Sequence, residues 1–298
     1  MKTLETFSTN SFNSVTISLM LSVFKFFGKL PLKLLRLFGF IFSWIFWFSS
    51  KRYRLRFQKN WYIAKNHSPS AMKKASLIRS ISRAGNFFFD LPKIWCGEDL
   101  KDKVEIKGHN VIEDLLRDGK GLICLSPHLS SFELVPKIFS KQLPISILYK
   151  PSKNHQLEKL LKKMRPTKNI TMVQPNFSGV KKLMIAIKRG EIVGLLPDQV
   201  PPIEHGTYES FFGQPAYTMT LASKLILLTG APVIWIYVQY KKNGWRVNIE
   251  TWDLGEFSNK DVSKMTKEMN QKIEQLILKD PESYMWSYDR YKRPKNIS

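Results

Sequence analysis

His128 and Glu133 are the residues of this chain best suited to do chemistry. They belong to the stretch 121–133, G-L-I-C-L-S-P-H-L-S-S-F-E. A histidine with a carboxylate on one ring nitrogen has its tautomer fixed, and its other nitrogen is free to take a proton from a hydroxyl. The same carboxylate stabilises the cation that then forms. On one continuous helix a gap of five would set the two side chains about 140° apart. The pair therefore meets only if His128 lies ahead of the helix and folds back. The neighbouring residues predict that arrangement. Residues 121–125 are a short apolar run of buried-strand type, and Pro127 halts it because it has no N–H for a ladder. Ser130 or Ser131 can then cap a helix whose apolar face is Phe132, Leu134, Val135, Ile138 and Phe139. The spacing also allows a purely structural contact, with Glu133 favouring the helix N-terminus. Spacing alone does not choose.

Other chemistries lack their patterns. The chain has no G-x-S-x-G nucleophile elbow and no G-x-x-x-x-G-K-[ST] phosphate loop. Gly119 and Gly121 precede a strand instead of following one, and Cys124 stands where a dinucleotide fingerprint needs a third glycine. The histidines at 67, 109, 128, 155 and 205 show neither H-x-x-x-H nor H-E-x-x-H spacing. The two cysteines, Cys96 and Cys124, are too few for a disulfide framework or a tetrahedral cysteine site, so no metal is expected. Forty-seven lysines and arginines against 24 acids, a net charge of +23, imply an anionic partner: a membrane face, a phosphorylated lipid, an acidic protein or nucleic acid. No helix-turn-helix, zinc-finger or aromatic RNA-binding motif accompanies the charge, which argues against nucleic acid.

The elements that must position these residues alternate. Strands are expected at 104–107, 121–125, 145–150, 170–174, 192–196, 233–240 and 245–252, the last two a hairpin about Lys242-Asn243-Gly244. Helices are expected at 111–118, 155–164, 178–188, 218–228 and 262–278, with a proline-rich loop carrying 206–213. This is an α/β pattern: a mixed central sheet flanked by helices. In such sheets ligands gather beyond the carboxyl ends of strands, where His128, Lys150, Asp198 and Gln199 all fall. The segment 87–95, F-F-F-D-L-P-K-I-W, is apolar enough for a lipid-facing or substrate-facing surface, or for ordinary core.

The N-terminus reads differently. Residues 1–18 are polar and are expected to be a disordered tail. Residues 19–56 are apolar and basic together and are expected to be a membrane anchor, ahead of a domain at 57–298. Their uncharged aromatic run, 37–50, would span about 21 Å as a helix, short of a hydrocarbon core of about 30 Å. Lys33 and Arg36 can snorkel, Trp44 and Trp47 suit an interface, and Lys51, Arg52, Arg54 and Arg56 favour a cytoplasmic C-terminal side, while Lys25, Lys29 and Lys33 pull the other way. A marginal spanning helix and a deep interfacial one both fit.

The H-L-S-S-F-E hexapeptide resembles the H-x4-E signature of the lipid A biosynthesis (late) acyltransferases, and more distantly the H-x4-D motif of glycerol-phosphate acyltransferases. Further stretches match in order. Tyr149-Lys150-Pro151 with Asn154 and Arg165 resembles the family's Y-[RK]-P…N…R segment. Leu196-Pro197-Asp198-Gln199 resembles its D-Q block, Gly206 with Phe211-Phe212-Gly213 its G…F-F-G, and the run from Pro281 to Arg290 its closing P-x-x-Y-x-W-x-x-x-R. The resemblance implies a glycerol-phosphate-acyltransferase-like fold. It implies transfer of a fatty acyl chain from acyl carrier protein to a hydroxyl of a lipid A precursor at the cytoplasmic face of the inner membrane, with no cofactor beyond the thioester co-substrate. It makes His128 the general base and Glu133 the group that orients it. Lys150, Asn154 and Arg165 become substrate contacts, Asp198 and Gln199 shape the site, and Gly206, Phe212 and Gly213 form a loop wall. Arg165 or backbone N–H groups would face the oxyanion. Ser130 and Phe132 stand where most relatives carry Gly and Trp, and Lys150 where they carry Arg, which has a bidentate fork that lysine lacks. Two other readings stay open: a same-fold enzyme using acyl-CoA or another glycolipid or aminolipid acceptor, and a non-catalytic basic membrane-binding protein.

Overall fold

The computed structural model describes residues 14–96, 100–140, 143–152, 154–165, 169–254 and 261–295. Most of the expected tail lies outside these residues, but the chain is already helical at Ser14. The N-terminal part is a run of helices: α1 (Ser14–Lys29), α2 (Leu32–Ser49), α3 (Lys51–His67), the short α4 (Pro69–Met72), α5 (Leu77–Arg83) and α6 (Asn86–Cys96). A single anchor helix over 19–56 is therefore not what forms. Pro31, which disfavours helical backbone in the residue before it, separates α1 from α2. Ser50 separates α2 from α3, in extended backbone with its hydroxyl accepting from Tyr53 N.

From there strands and helices alternate as β1 (Val104–Lys107), α7 (His109–Arg117), β2 (Leu122–Leu125), α8 (Leu134–Phe139), β3 (Ile145–Leu148), α9 (His155–Met164), β4 (Ile170–Val173), α10 (Phe177–Lys188) and β5 (Ile192–Leu195). The hairpin β6 (Gly206–Phe211) and β7 (Gln214–Met219) follows, then α11 (Leu221–Thr229), β8 (Val233–Lys241), β9 (Gly244–Thr251) and α12 (Val262–Lys279). Seven strands form the mixed sheet in the order β1-β9-β8-β2-β5-β3-β4. Its neighbours are parallel except β8 with β9.

The central strands are apolar on both sides because both sides are covered. Ile123, Leu125, Val193, Leu195 and Trp235 face one layer with Phe57, Trp61, Leu183, Met269 and Trp286. The alternating residues Leu122, Cys124, Ile192, Ile234 and Ile236 face the other with Ile94, Trp95, Leu134, Ile145 and Trp245. At the second layer's outer edge α6 carries α1 and α2. Gly85 makes the approach to α2 possible, since a Cβ there would lie 2.1 Å from Gly39 O. Helix α2 buries Leu32, Leu35, Gly39, Ser43 and Trp47 along one stripe. It exposes Phe40, Ile41, Ile45 and Phe48 on the other. Its 18 residues have a mean hydropathy of 1.4, long and apolar enough to cross a membrane by length and composition.

Three local expectations change. The loop carrying 206–213 is a hairpin whose two-residue turn, Phe212-Gly213, has φ of 46° and 71°; the expected helix at 218 starts only at Leu221. The β8–β9 hairpin forms where expected, with Lys242 and Asn243 turning between Lys241 and Gly244. Gly244 is needed because a Cβ would meet Lys103 O at 1.9 Å. And the helix after His128 begins at Leu134, so residues 130–133 lie in turns.

Candidate active site

The site forms where β2 and β5 end side by side. Their parallel register sets Leu125 opposite Leu195. His128 and Asp198, each three residues further on, are therefore neighbours although 70 residues separate them. Asp198 grips His128 twice. Its Oδ2 accepts from the backbone N–H at 2.9 Å, and its Oδ1 accepts from ring Nδ1 at 2.6 Å. Asp198 is 1% exposed. Burial alone would raise its carboxyl, but the His128 ring, the His128 N–H and Arg290 behind it hold the group below the ordinary carboxylate range. With Nδ1 donating to Asp198, Nε2 is the accepting nitrogen, and the Gln199 amide Nε2 stands 3.0 Å from it.

Glu133 makes no hydrogen bond to the histidine ring, whose two nitrogens meet Asp198 and Gln199. The His128–Glu133 contact that the resemblance implies is not formed: α8 starts late and the Glu133 carboxylate turns to Arg165, 2.5 Å away. Arg165 in turn lies over the rings of Trp95 and Tyr149, 5.0 and 5.2 Å from their centroids. Burial pushes the Glu133 carboxyl up, opposed by Arg165, Trp95 and the field of His128. Asp198, and not Glu133, is the carboxylate hydrogen-bonded to His128. Sequence spacing missed Asp198 as the ring's partner; the signal was the equal offset of the two residues from paired strands.

The loop that carries His128 is clamped from outside. Ser130 sits at φ 55°, a conformation few non-glycine residues adopt, and its N–H donates to Ser283 O at 2.8 Å. Met285 N donates to His128 O, and Leu129 bridges Tyr284. The closing motif therefore holds the loop. Trp286 is buried, and Arg290 donates to Tyr217 O at 2.8 Å and Thr218 Oγ1 at 2.6 Å beneath Asp198.

An apolar cavity of about 630 Å³ opens beside the histidine. Its lining includes the polar His128, Glu133, Lys150, Arg165 and Gln199 and the apolar Cys124, Val135, Ile145, Ile147 and Met172, with Gly194 of β5. Gly194 pairs with Cys124 and Ile147 across the sheet and offers no side chain to fill the space. Other expected contacts lie elsewhere. Asn154 is exposed just ahead of α9 and does not line the cavity. Gly206 is packed under Tyr217 and Pro201. Phe212 packs on Trp286 and His67, with its N–H donated to Glu274 at 2.7 Å, and Gly213 rests on His67. These three shape the hairpin and do not line the cavity. Among the described residues, no three His, Cys, Asp or Glu side chains are grouped to hold a metal ion.

A base-oriented histidine at the carboxyl edge of a mixed sheet, beside an apolar cavity, suits proton transfer from a polar group of an amphiphile. The family model for the bacterial lipid A biosynthesis acyltransferase matches residues 6–293. A lipid A biosynthesis acyltransferase of Haemophilus influenzae is 24% identical over 240 residues, 80% of this chain and 75% of that one. The lipid A biosynthesis lauroyltransferase of Escherichia coli is 23% identical over 230 residues, covering 76% and 74%. The palmitoleoyltransferase of the same organism is 23% identical over 201 residues, covering 66% and 64%. The chain belongs to the bacterial lipid A biosynthesis acyltransferase family, and it is an acyltransferase.

Proposed function

We propose that this protein transfers a fatty acyl chain from an acyl carrier protein thioester to a hydroxyl of a phosphorylated lipid A precursor at the cytoplasmic face of the bacterial inner membrane. The observation that carries the reading is His128 Nε2, left as the accepting nitrogen by the Nδ1–H bond to Asp198, at an apolar cavity that His128 lines. The acceptor hydroxyl takes the place of the Gln199 N–H on Nε2. As its oxygen attacks the thioester carbonyl, the proton passes to Nε2. The C–O bond then forms, the C–S bond breaks, and the imidazolium returns the proton to the leaving thiolate. No acyl-enzyme is required. Asp198 stabilises the imidazolium by direct bonding and Glu133 by its charge, while Arg165, which borders the same cavity, serves the developing oxyanion. The cavity is within the usual range for a small-ligand site, about 300–1,000 Å³, and takes the acyl chain; Lys150, which also lines it, meets phosphate or sugar.

The exposed apolar face of α2, with Lys51, Arg52, Arg54 and Arg56 following, supports seating in the membrane interface. The buried stripe of the same helix is occupied by the protein itself, which favours lying in the interface over crossing the membrane. The net charge of +23 suits both the anionic membrane and an acidic acyl carrier.

Mass spectrometry of lipids tests this. Membranes containing wild-type or His128→Ala protein are incubated with acyl carrier protein thioester and a tetra-acylated, phosphorylated glucosamine disaccharide bearing core sugars. One added acyl mass with wild type, lost in the variant, is expected. Equal activity of the variant refutes the mechanism; modification of a different lipid refutes the acceptor; activity with acyl-CoA alone refutes the donor.

A further inference from the structure

The apolar segment 87–95 is helix α6, and its inward stripe touches the catalytic loop residue by residue. Phe87 stacks on Phe132 with centroids 4.8 Å apart and planes 15° from parallel. Phe132 in turn meets the His128 ring edge-on at 4.7 Å. Trp95 lies under the Arg165 that pairs with Glu133. Between them sits Asp90, 0% exposed. Its Oδ2 accepts from Ser131 Oγ at 2.8 Å and from Trp245 Nε1 at 2.8 Å. Its Oδ1 faces Arg36 Nε of helix α2 at 3.6 Å. Arg36 is fixed independently. It donates to Gly244 O at 2.8 Å and to Lys241 O, and its guanidinium lies 5.0 Å from the Tyr240 centroid and 5.6 Å from that of Trp245.

A fully buried carboxylate, hydrogen-bonded on Oδ2 and facing a cation across 3.6 Å on Oδ1, is costly to keep unless those partners are held in place. Here the two donors come from the catalytic loop and β9, and the facing cation from α2. The loop also needs holding, because Ser130 is in left-handed backbone and residues 130–133 belong to no helix. We propose that Asp90 is a positioning residue that fixes His128 through Ser131, and that Arg36 makes this hold depend on the seating of α2. Membrane docking of the apolar helix and alignment of the base are thereby linked through one buried ion pair. The proposal rests on His128 as the base only for its kinetic consequences; the positioning is a property of the fold.

The test uses the full chain in phospholipid vesicles, with Asp90→Asn, Arg36→Met and the double variant. An asparagine cannot satisfy the site. Its NH2 must face either Arg36 or the Ser131 and Trp245 donors, and either choice sets donor against donor. Replacing Arg36 as well removes that conflict. The readout independent of activity is the rate at which diethyl pyrocarbonate modifies His128, followed by peptide mass spectrometry. Asp90→Asn is expected to raise it several-fold, and the double variant to bring it back toward wild type. With acyl thioester and lipid acceptor, Asp90→Asn is expected to lower kcat by about tenfold to a hundredfold, the range for a small displacement of a catalytic group, with KM nearly unchanged. If wild type shows no turnover, the proposed reaction fails while the modification rates still decide the positioning. Should Asp90→Asn not fold, Ser131→Ala cuts the same link to the loop and is expected to raise the modification rate. His128 modified at the wild-type rate in a folded variant that breaks the link overturns the proposal. A kcat loss that merely tracks the folded fraction overturns it as well.

Discussion

Asp198→Asn is the substitution that most directly probes the site. The carboxylate accepts from the His128 backbone N–H at 2.9 Å and from Nδ1 at 2.6 Å. An amide at that position has one accepting oxygen, so its NH2 must face one of two donors. The strain is relieved by moving the ring proton to Nε2, which lets Nδ1 accept from the amide and removes the base from the cavity side. A charge-assisted hydrogen bond of this kind is worth about 1.5–3 kcal/mol, equivalent to roughly tenfold to a hundredfold in rate. In serine proteases, losing the tautomer as well as the charge lowers kcat by about 10⁴-fold. A fall in kcat of about a thousandfold or more is expected, with little change in KM for either substrate. Steady-state kinetics on folded protein, verified by near-ultraviolet circular dichroism, measures it. A variant retaining more than about a tenth of wild-type kcat would refute the tautomer argument, because loss of even one charge-assisted bond exceeds that. So would finding that Glu133→Gln abolishes activity while Asp198→Asn does not, since the ring would then answer to Glu133.

The same carboxylate predicts the acid side of stability. Its native-state pKa is depressed, so it stabilises the fold above its unfolded value of about 4 and loses that contribution as pH falls through the lower folded value. The gap in thermal midpoint between wild type and Asp198→Asn should therefore be widest near neutrality and close as the pH falls below the ordinary aspartate value of about 4 and through the lower folded one; a constant gap would contradict it. For the cavity, a Cβ at Gly194 would sit in ordinary contact 3.6 Å from Ile147 and 3.7 Å from Ile145, so a longer side chain must grow into the open space. Gly194→Met should shift donor preference toward shorter acyl chains, with each excluded methylene costing about 0.8 kcal/mol, or about fourfold in kcat/KM. Unchanged chain preference in competition between thioesters would remove the cavity from acyl binding.

Much of this protein was legible before any tertiary structure. The apolar runs of β2 and β5, each halted by a proline at 127 or 197, placed His128 and Asp198 beyond strand ends. The late hairpin and the amphipathic α12 followed from local signals, since turn chemistry and helical period act within a few residues. The β6–β7 hairpin was hidden because prolines at 201, 202 and 215 and a half-exposed face give no clean alternation. The break of the N-terminal run at Pro31 was readable in principle, yet the docking of α2 on α6 was not, because it depends on Gly85 meeting Gly39 across 46 residues.

What the chain alone determined is which residue types stand at the ends of which strands. Which of them touch was decided by sheet order. Placing β5 beside β2 gave His128 its partner in Asp198, while the packing of helices on the sheet set the Glu133–Arg165 pair and the Asp90–Ser131 bond. A side chain reaches only a few ångströms, so a contact between residues 70 apart is set by strand register, and register is a property of the packed sheet.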